Sequence, residues 1–426
     1  MSCNMKRSVS HSTNSSSHCT NNSNGHNVFY SKARRGAHRL RLLVLGSKEY
    51  PLGTNQGEDP ITSGGIEFYN EALVGELARR GDVDVTVITR RFSGAAQLDY
   101  CKNIKIHRVP WRQGFWSRTP TFCWNSFRLA RRLDCDAILA HGPIATFFGI
   151  FLAKMKRVPL VSIPHGLASA QPQYSAFKTI GVALEKWAYS KPDAVIALSS
   201  NDVQRLNALN PAIRTKLIPT GIAPDRYTPR KTRSEVRKEL GISQKATIII
   251  ANSRLSKVKG LNYLLASLPR LHAGTNSTTN TATDIITLLI SDGPEAVALK
   301  QQAKELGLAS RVRFLGFRTD VADLLCASDI FVLPSLSEGL PLSLLEGMAT
   351  GKPCVVTDIG LPIADGKTGL VVPPADVGAL ASALQRLIDD KPLRKRLGGQ
   401  ASRVARAFTW SKTASTHIEL LKNLQR

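Results

Sequence analysis

From Arg39 onward the chain alternates short apolar runs with longer stretches of helical period, and it does so twice. Runs at 40–45, 83–89, 104–109, 137–140, 160–163 and 194–198 are rich in Val, Ile and Leu, and helix-period segments separate several of them. A turn-rich stretch at 220–229, TGIAPDRYTP, interrupts the pattern, which then resumes at 247–251, 285–291, 312–315, 330–333, 354–357 and 369–372. Strands that are apolar throughout and joined by helices belong to a parallel sheet covered on both faces. The expected fold class is therefore α/β, with two Rossmann-like, doubly wound parallel-sheet domains facing across a cleft. In such sheets ligands bind outside the carboxyl ends of the strands, so the loops after each strand are where chemistry is to be sought.

With 426 residues the chain is long for one core and suits two domains and a tail. Residues 1–38 are rich in Ser, Asn and His and are expected to form a disordered low-complexity tail. They lack the apolar stretch of a secretory signal. No apolar run reaches the roughly 18 residues that span a bilayer. A second polar tract at 274–283, GTNSTTNTAT, reads as a loop insertion between a helix and a strand. The seven cysteines show no Cys-x-x-Cys pair, so they are read as free thiols in a reducing compartment, without a zinc site.

Net charge is +25, and it is uneven: residues 1–230 hold 31 Lys plus Arg against 15 Asp plus Glu, or +16, leaving 26 against 17, or +9. Such a surplus calls for an anionic partner or surface. Nucleic acid is one candidate, yet no recognition motif for it is present and the basic residues are scattered. An anionic membrane face suits the charge equally well. Between Trp111 and Arg132, Trp116, Phe122, Trp124 and Phe127 interleave with Arg112, Arg118, Arg128, Arg131 and Arg132, a composition suited to lipid headgroups or to a helix with one core face.

The chemistry-bearing segment is 335–348, SLSEGLPLSLLEGM. Pro334, Gly339 and Pro341 break the chain after an apolar strand, placing Glu338 on a loop and Glu346, eight positions on, inside the helix that follows. The amides of Gly339 and Leu340 then lie at a helix N-terminus, where aligned peptide dipoles favour an anion such as a diphosphate. Glu338 is placed to accept sugar hydroxyls and Glu346 to accept ribose hydroxyls. Upstream, ANSRLSKVKG puts Arg254 and Lys259 on one loop at a strand's carboxyl end, a planar fork and a point charge suited to a diphosphate. In the first half Gly64 and Gly65 precede a helix from about residue 66 to 79, where a backbone without side chains can approach a phosphate or acceptor.

Together these residues resemble the family 4 (group 1) retaining glycosyltransferases, which have the GT-B fold. The resemblance rests on Glu338-x7-Glu346, on the Arg-Leu-x3-Lys-Gly pattern from Arg254 to Gly260, and on SDGPE, RVRFLGF and SDIFVLPS following in order. It covers roughly residues 40–415. It implies that Gly293 contacts the donor, that the backbone at Phe317 and Arg318 lies beside the nucleotide base, and that His165, in IPHG, lines the cleft near the transferred sugar. His141, in LAHG, is the second choice. The implied arrangement is an acceptor-side domain at 39–225, a nucleotide-sugar domain at 226–408, and a helix at 409–426 packing back on the first.

The implied enzyme moves a sugar from a nucleotide-diphosphate sugar to a hydroxyl acceptor, a lipid-linked or glycan precursor of cell-envelope type. It would work in the cytoplasm, peripherally on the inner face of the membrane. No cofactor or metal is expected, because Asp82/Asp84 and Asp134/Asp136 precede their strands and so lie at the far end of the sheet from the cleft. Two departures stand out. The linker has Thr220-Gly221-Ile222-Ala223 where the family has Asn-Gly-(Ile/Val)-Asp, and the segment 357–369 is shorter than usual and lacks a glutamate. Two rival readings remain: a nucleotide-sugar epimerase on the same fold, which needs no acceptor, and a basic nucleic-acid-binding protein. A dinucleotide-dependent dehydrogenase is disfavoured, since no Gly-x-Gly-x-x-Gly follows either first strand.

Overall fold

A computed structural model describes residues 39–52, 54, 65–114, 117–167, 178–223, 227–272 and 284–425. The first lobe runs β1 (Leu40–Leu45), α1 (Gly65–Arg80), β2 (Val83–Arg90), β3 (Leu98–Cys101), β4 (Ile104–Val109), α2 (Arg118–Ala130), β5 (Ala137–His141), α3 (Pro143–Lys156), β6 (Leu160–Ile163), α4 (Lys178–Tyr189), β7 (Ala194–Ala197), α5 (Ser200–Leu209) and β8 (Thr215–Leu217). The second begins with α6 (Arg233–Glu239), β9 (Thr247–Asn252), α7 (Leu261–Ser267), β10 (Ile285–Ile290), α8 (Ala296–Glu305), β11 (Val312–Gly316) and α9 (Val321–Ala327). It continues through β12 (Ile330–Leu333), α10 (Leu342–Ala349), β13 (Cys354–Thr357), β14 (Gly369–Val372), α11 (Val377–Asp389) and α12 (Lys391–Ala405), and α13 (Trp410–Leu424) closes the chain.

The second sheet has the order β11-β10-β9-β12-β13-β14, every pair parallel. Counted within the lobe, that is the doubly wound order 3-2-1-4-5-6, whose topological switch point falls between β9 and β12. The first sheet, β3-β4-β2-β1-β5-β6-β7-β8, switches direction between β1 and β5. Its one antiparallel member is the edge strand β3. The strands at both switch points are buried along nearly their whole length, as a sheet covered on both faces requires.

The sequence pattern locates twelve of the strands in the described residues to within a residue or so, among them the edge strands β11 and β14, but misses β3 and β8. Both are edge strands. Leu98–Cys101 alternates exposed and half-buried, and Thr215–Leu217 is mostly exposed, so neither carries the unbroken apolar run that marks a two-sided strand.

The chain crosses between lobes twice, and the two crossings run side by side. Ile222 donates its amide to the Phe408 carbonyl at 2.8 Å, and Ile222 and Thr409 form a parallel bridge. After the second crossing α13 lies against α1, burying Trp410, Ala414, Ile418 and Leu421, with Lys422 3.1 Å from Asp82. Under the second lobe, fully buried Arg237 donates to the carbonyls of Ala327, Ser243, Gln244 and Ala246 and pairs with Asp329 at 2.8 Å, which gives every nitrogen of the guanidinium a partner.

One sequence expectation fails here. Cys101 is disulfide-bonded, so free thiols do not extend to all seven cysteines; Cys123, Cys135, Cys326 and Cys354 are free. The tail at 1–38 and the insertion at 274–283 lie outside the described residues, and among the described residues no helix is long and apolar enough to cross a membrane.

Candidate functional site

At the second lobe's switch point the loops leaving β9 and β12 are packed into one unit. The β9 loop forms a 3₁₀ turn at Lys257–Lys259 and ends at Gly260, whose φ is +62°. A Cβ there would sit 2.1 Å from the Pro334 carbonyl oxygen, so only glycine lets the two loops approach. Leu336 N–H donates to Val258 O at 2.8 Å, which locks their register. The consequence is chemical. Lys259 Nζ lies 2.5 Å from Glu338 Oε1, which also accepts from Ser335 Oγ at 2.7 Å. Both partners are mostly buried, the side chains being 18% and 11% exposed. Glu338 Oε2 has no partner among the described residues and remains able to accept a hydroxyl.

The other predicted residues group around this pair. Arg254 follows β9 on the same loop, exposed, and its guanidinium has no hydrogen-bond partner among the described residues. The amides of Gly339 and Leu340 donate to nothing described and precede α10, whereas the Leu340 side chain is buried in the core. Glu346, one helical face deeper, holds two donors: Tyr227 OH on Oε1 at 2.9 Å and Asn252 Nδ2 on Oε2 at 2.8 Å.

Gly293 differs in kind. Its missing Cβ would lie 2.3 Å from Leu255 O, and Leu255 N–H donates to Asp292 O at 3.0 Å. Its place is therefore beneath the Arg254 loop, which it supports through close backbone contact. Phe317, 74% exposed, and Arg318, paired with Asp320 at 2.5 Å, follow the edge strand β11, two strands away from the switch point.

The first lobe reaches this site through α5. Arg205 Nη1 donates to Ser337 Oγ at 2.9 Å and to the Glu338 carbonyl at 3.4 Å, and Asn201 Nδ2 donates to Ile359 O at 2.7 Å. Beside them, burial raises the Asp202 carboxyl above its ordinary range. None of these three was singled out in the sequence, because polar residues on an outward helix face look alike until the partner lobe is placed. Asn252 could have been found: it is the polar residue that ends the apolar β9 run.

At the first lobe's own switch point, His141 ends β5 and His165 follows β6. Their Nδ1 and Nε2 atoms are 2.7 Å apart. Tyr69 of α1 sets its ring edge-on against His165 at 4.9 Å and against Trp410 of α13 at 5.3 Å, and its hydroxyl lies 3.4 Å from His417 Nε2. Burial keeps all three histidines neutral, lowering His165 to about 3 and His417 to about 4, and His141 well below its usual value. Gly65 opens α1, while Gly64 lies outside the described residues. Glu67, in the first turn of α1, is buried with its Oε1 unpartnered, and burial raises its pKa. Its only mark in the sequence is an acidic residue near a helix start.

The Asp-x-Asp pairs are engaged elsewhere. Asp84 pairs with Arg39, Asp82 with Arg80 and Lys422, and Asp134 and Asp136 with Arg41, all at the amino ends of β2 and β5. In the aromatic-basic segment Phe122 is core, 1% exposed under the Arg90 guanidinium, so it is not available to a lipid surface. Trp124 is 51% exposed, stacked on Phe127 beside exposed Arg128, Arg131 and Arg132; Trp116 lies outside the described residues.

Comparisons with known proteins agree with this architecture. Residues 246–390 match the family model "Glycosyl transferases group 1", and residues 63–226 match "Glycosyltransferase Family 4". The chain is 31% identical to D-inositol 3-phosphate glycosyltransferase of Corynebacterium jeikeium over 419 residues, covering 90% of this chain and 97% of that one. It is 26% identical over 276 residues to the Escherichia coli UDP-Gal:alpha-D-GlcNAc-diphosphoundecaprenol alpha-1,3-galactosyltransferase, covering 63% and 70%. Among solved structures, sucrose-phosphate synthase from Thermosynechococcus elongatus superposes with a TM-score of 0.76 at 22% identity, covering 91% of this chain and 99% of that one.

Proposed function

The chain belongs to the group 1, family 4 glycosyltransferases of GT-B fold, and on that premise we propose that it transfers a sugar from a nucleotide-diphosphate donor to a hydroxyl acceptor, with retention and without a metal. The observation that carries this reading is the Lys259–Glu338 contact of 2.5 Å at the switch point. It sets a cation for the leaving diphosphate against a carboxylate for the sugar hydroxyls. In the proposed reaction Arg254, Lys259 and the Gly339 and Leu340 amides neutralise charge that develops on the departing diphosphate. Glu338 holds the sugar through Oε2, and Glu346, braced by Tyr227 and Asn252, accepts the ribose hydroxyls. The acceptor oxygen enters from the first lobe on the face the diphosphate leaves, and its proton passes to the departing phosphate oxygen, so the anomeric configuration is kept.

Metal independence is supported by the donor set. Among the described residues no three His, Cys, Asp or Glu side chains are placed to hold an ion, and the Asp-x-Asp carboxylates are neutralised by arginines and lysine at the far end of the sheet. Relatives whose names specify inositol 3-phosphate or a diphosphoundecaprenol-linked sugar suggest an acceptor that carries negative charge, which suits the +16 of residues 1–230. A lipid-linked acceptor would bring the enzyme to a membrane, with Trp124, Arg128, Arg131 and Arg132 as the proposed contact.

A thermal-shift screen across UDP-, GDP- and ADP-sugars identifies the donor, since a ligand at a hundred times its dissociation constant stabilises by about 2.7 kcal/mol. With that donor, nucleoside diphosphate should appear only when acceptor is present, and the product's anomeric coupling should match the donor's. Interconversion of the donor sugar without acceptor would replace this reading by the epimerase.

A further inference from the structure

We propose that His141 is a positioning residue, which fixes the tautomer of His165 so that His165 presents an Nδ1–H donor to the bound sugar nucleotide. The role of His165 rests on the transferase reading above; the tautomer itself follows from geometry. His141 ends β5 in register with Ile163 of β6, and Gly142 N–H donates to Ile163 O at 2.9 Å, so the two strand ends are tied together. Two residues later His165 takes a left-handed φ of +58°, costly for a residue with a Cβ, and this turns its ring back toward His141. The rings lie 19° from coplanar with centroids 5.0 Å apart and a nitrogen–nitrogen contact of 2.7 Å. That is an in-plane N–H···N hydrogen bond between two imidazoles.

Both rings are neutral, so one proton sits on each and one of the two facing nitrogens must be the donor. If His165 Nε2–H donates, the proton of His141 is forced onto Nε2. That atom is buried and has no partner among the described residues, so the arrangement would leave an unmade N–H in the core. If His141 Nδ1–H donates instead, its Nε2 is left only with an unused lone pair, the milder defect. The second arrangement holds, and it leaves the proton of His165 on Nδ1. A neutral donor is what a sugar hydroxyl oxygen or a charge-gathering phosphate oxygen can use. A bare lone pair in the same place would repel the phosphate.

The test has two arms. With histidine selectively labelled with ¹⁵N, long-range correlation spectra of the wild-type protein should show protonated Nδ1 and bare Nε2 on both rings. A protonated Nε2 on His165 overturns the proposal. This readout requires no turnover, so its failure is distinguishable from failure of the transferase reading. In the second arm, His141→Asn, whose amide can replace the Nδ1–H, should keep kcat within about threefold, while His141→Leu should lower it about tenfold or more at similar donor KM. Equal losses in the two variants, or a loss that only follows the melting temperature, would also overturn it.

Discussion

Lys259→Ala is the sharpest test of the site, because the structure fixes what the lysine faces. At an effective dielectric near 20, two unit charges about 4 Å apart interact by about 4 kcal/mol. Only the part that grows between bound donor and transition state affects kcat, because the diphosphate already carries charge in the ground state. Taking about two-thirds of the total gives some 2.7 kcal/mol, or about a hundredfold in kcat, the scale seen when one preorganised stabilising group is lost. Lys259→Arg should recover part of this, because it restores charge but not the compact geometry that meets Glu338. The same change leaves Glu338 with Ser335 alone. Because the carboxylate is only 11% exposed, folding stability should also fall, by about 1–2 kcal/mol. The assay is acceptor-dependent release of nucleoside diphosphate, with a thermal melt to show that the variant is folded at the assay temperature. A folded Lys259→Ala enzyme turning over within about threefold of wild type would refute the charge argument, which calls for about a hundredfold.

Three further outcomes are expected. Arg205→Ala removes the link from α5 to Ser337 and Glu338, and should raise donor KM several-fold while changing kcat less, measured by initial rates over a donor series. Changing Arg128, Arg131 and Arg132 to Glu should abolish co-sedimentation with anionic vesicles and leave transfer to a soluble acceptor intact; unchanged sedimentation would remove the membrane reading. Stability should fall with acid: His417 has a folded pKa of about 4 against an unfolded value near 6.5, so its contribution is complete above 6.5 and is lost as pH falls toward 4. At pH 5 that one ring costs about 2 kcal/mol, and a melting temperature unchanged between pH 7.5 and pH 5 would show the ring to be solvated.

The fold was legible because two-sided parallel strands write themselves as unbroken apolar runs, such as Leu40–Leu45 and Ile330–Leu333. The donor-side loops were legible for a related reason. Each follows such a run and is punctuated by Gly and Pro, so Arg254, Lys259, Glu338 and Glu346 could be placed at strand ends from local sequence alone. Pairing was not legible. Nothing in the sequence states that β12 lies beside β9, and it is that adjacency which brings Lys259 to Glu338. The contacts of Arg205 and Asn201 depend on how one lobe sits against the other, that of Tyr227 on the path of the chain into the second lobe, and the His141–His165 pair on a single left-handed residue. The same limit applies to Gly293, whose close backbone contact with Leu255 under the Arg254 loop local sequence could not show.

The path of the chain between the lobes adds a constraint of its own. Buried apolar residues of both lobes form one continuous cluster, and the two crossings are joined by the Ile222–Phe408 hydrogen bond. Past it α13 belongs to the first lobe by contact, since Trp410 packs on Tyr69 and Lys422 pairs with Asp82. The chain passes between the lobes at 220–223 and 407–409, while α13 packs on α1. Tyr69 lies between that helix and His165, so the wall carrying His165 is anchored to α13. The Glu338 loop meets the first lobe at α5, through Arg205 on Ser337 and Asn201 on Ile359. On the proposed reading a donor held by the second lobe meets His165 across the cleft, so the lobe placement that these α5 contacts hold is a condition for transfer.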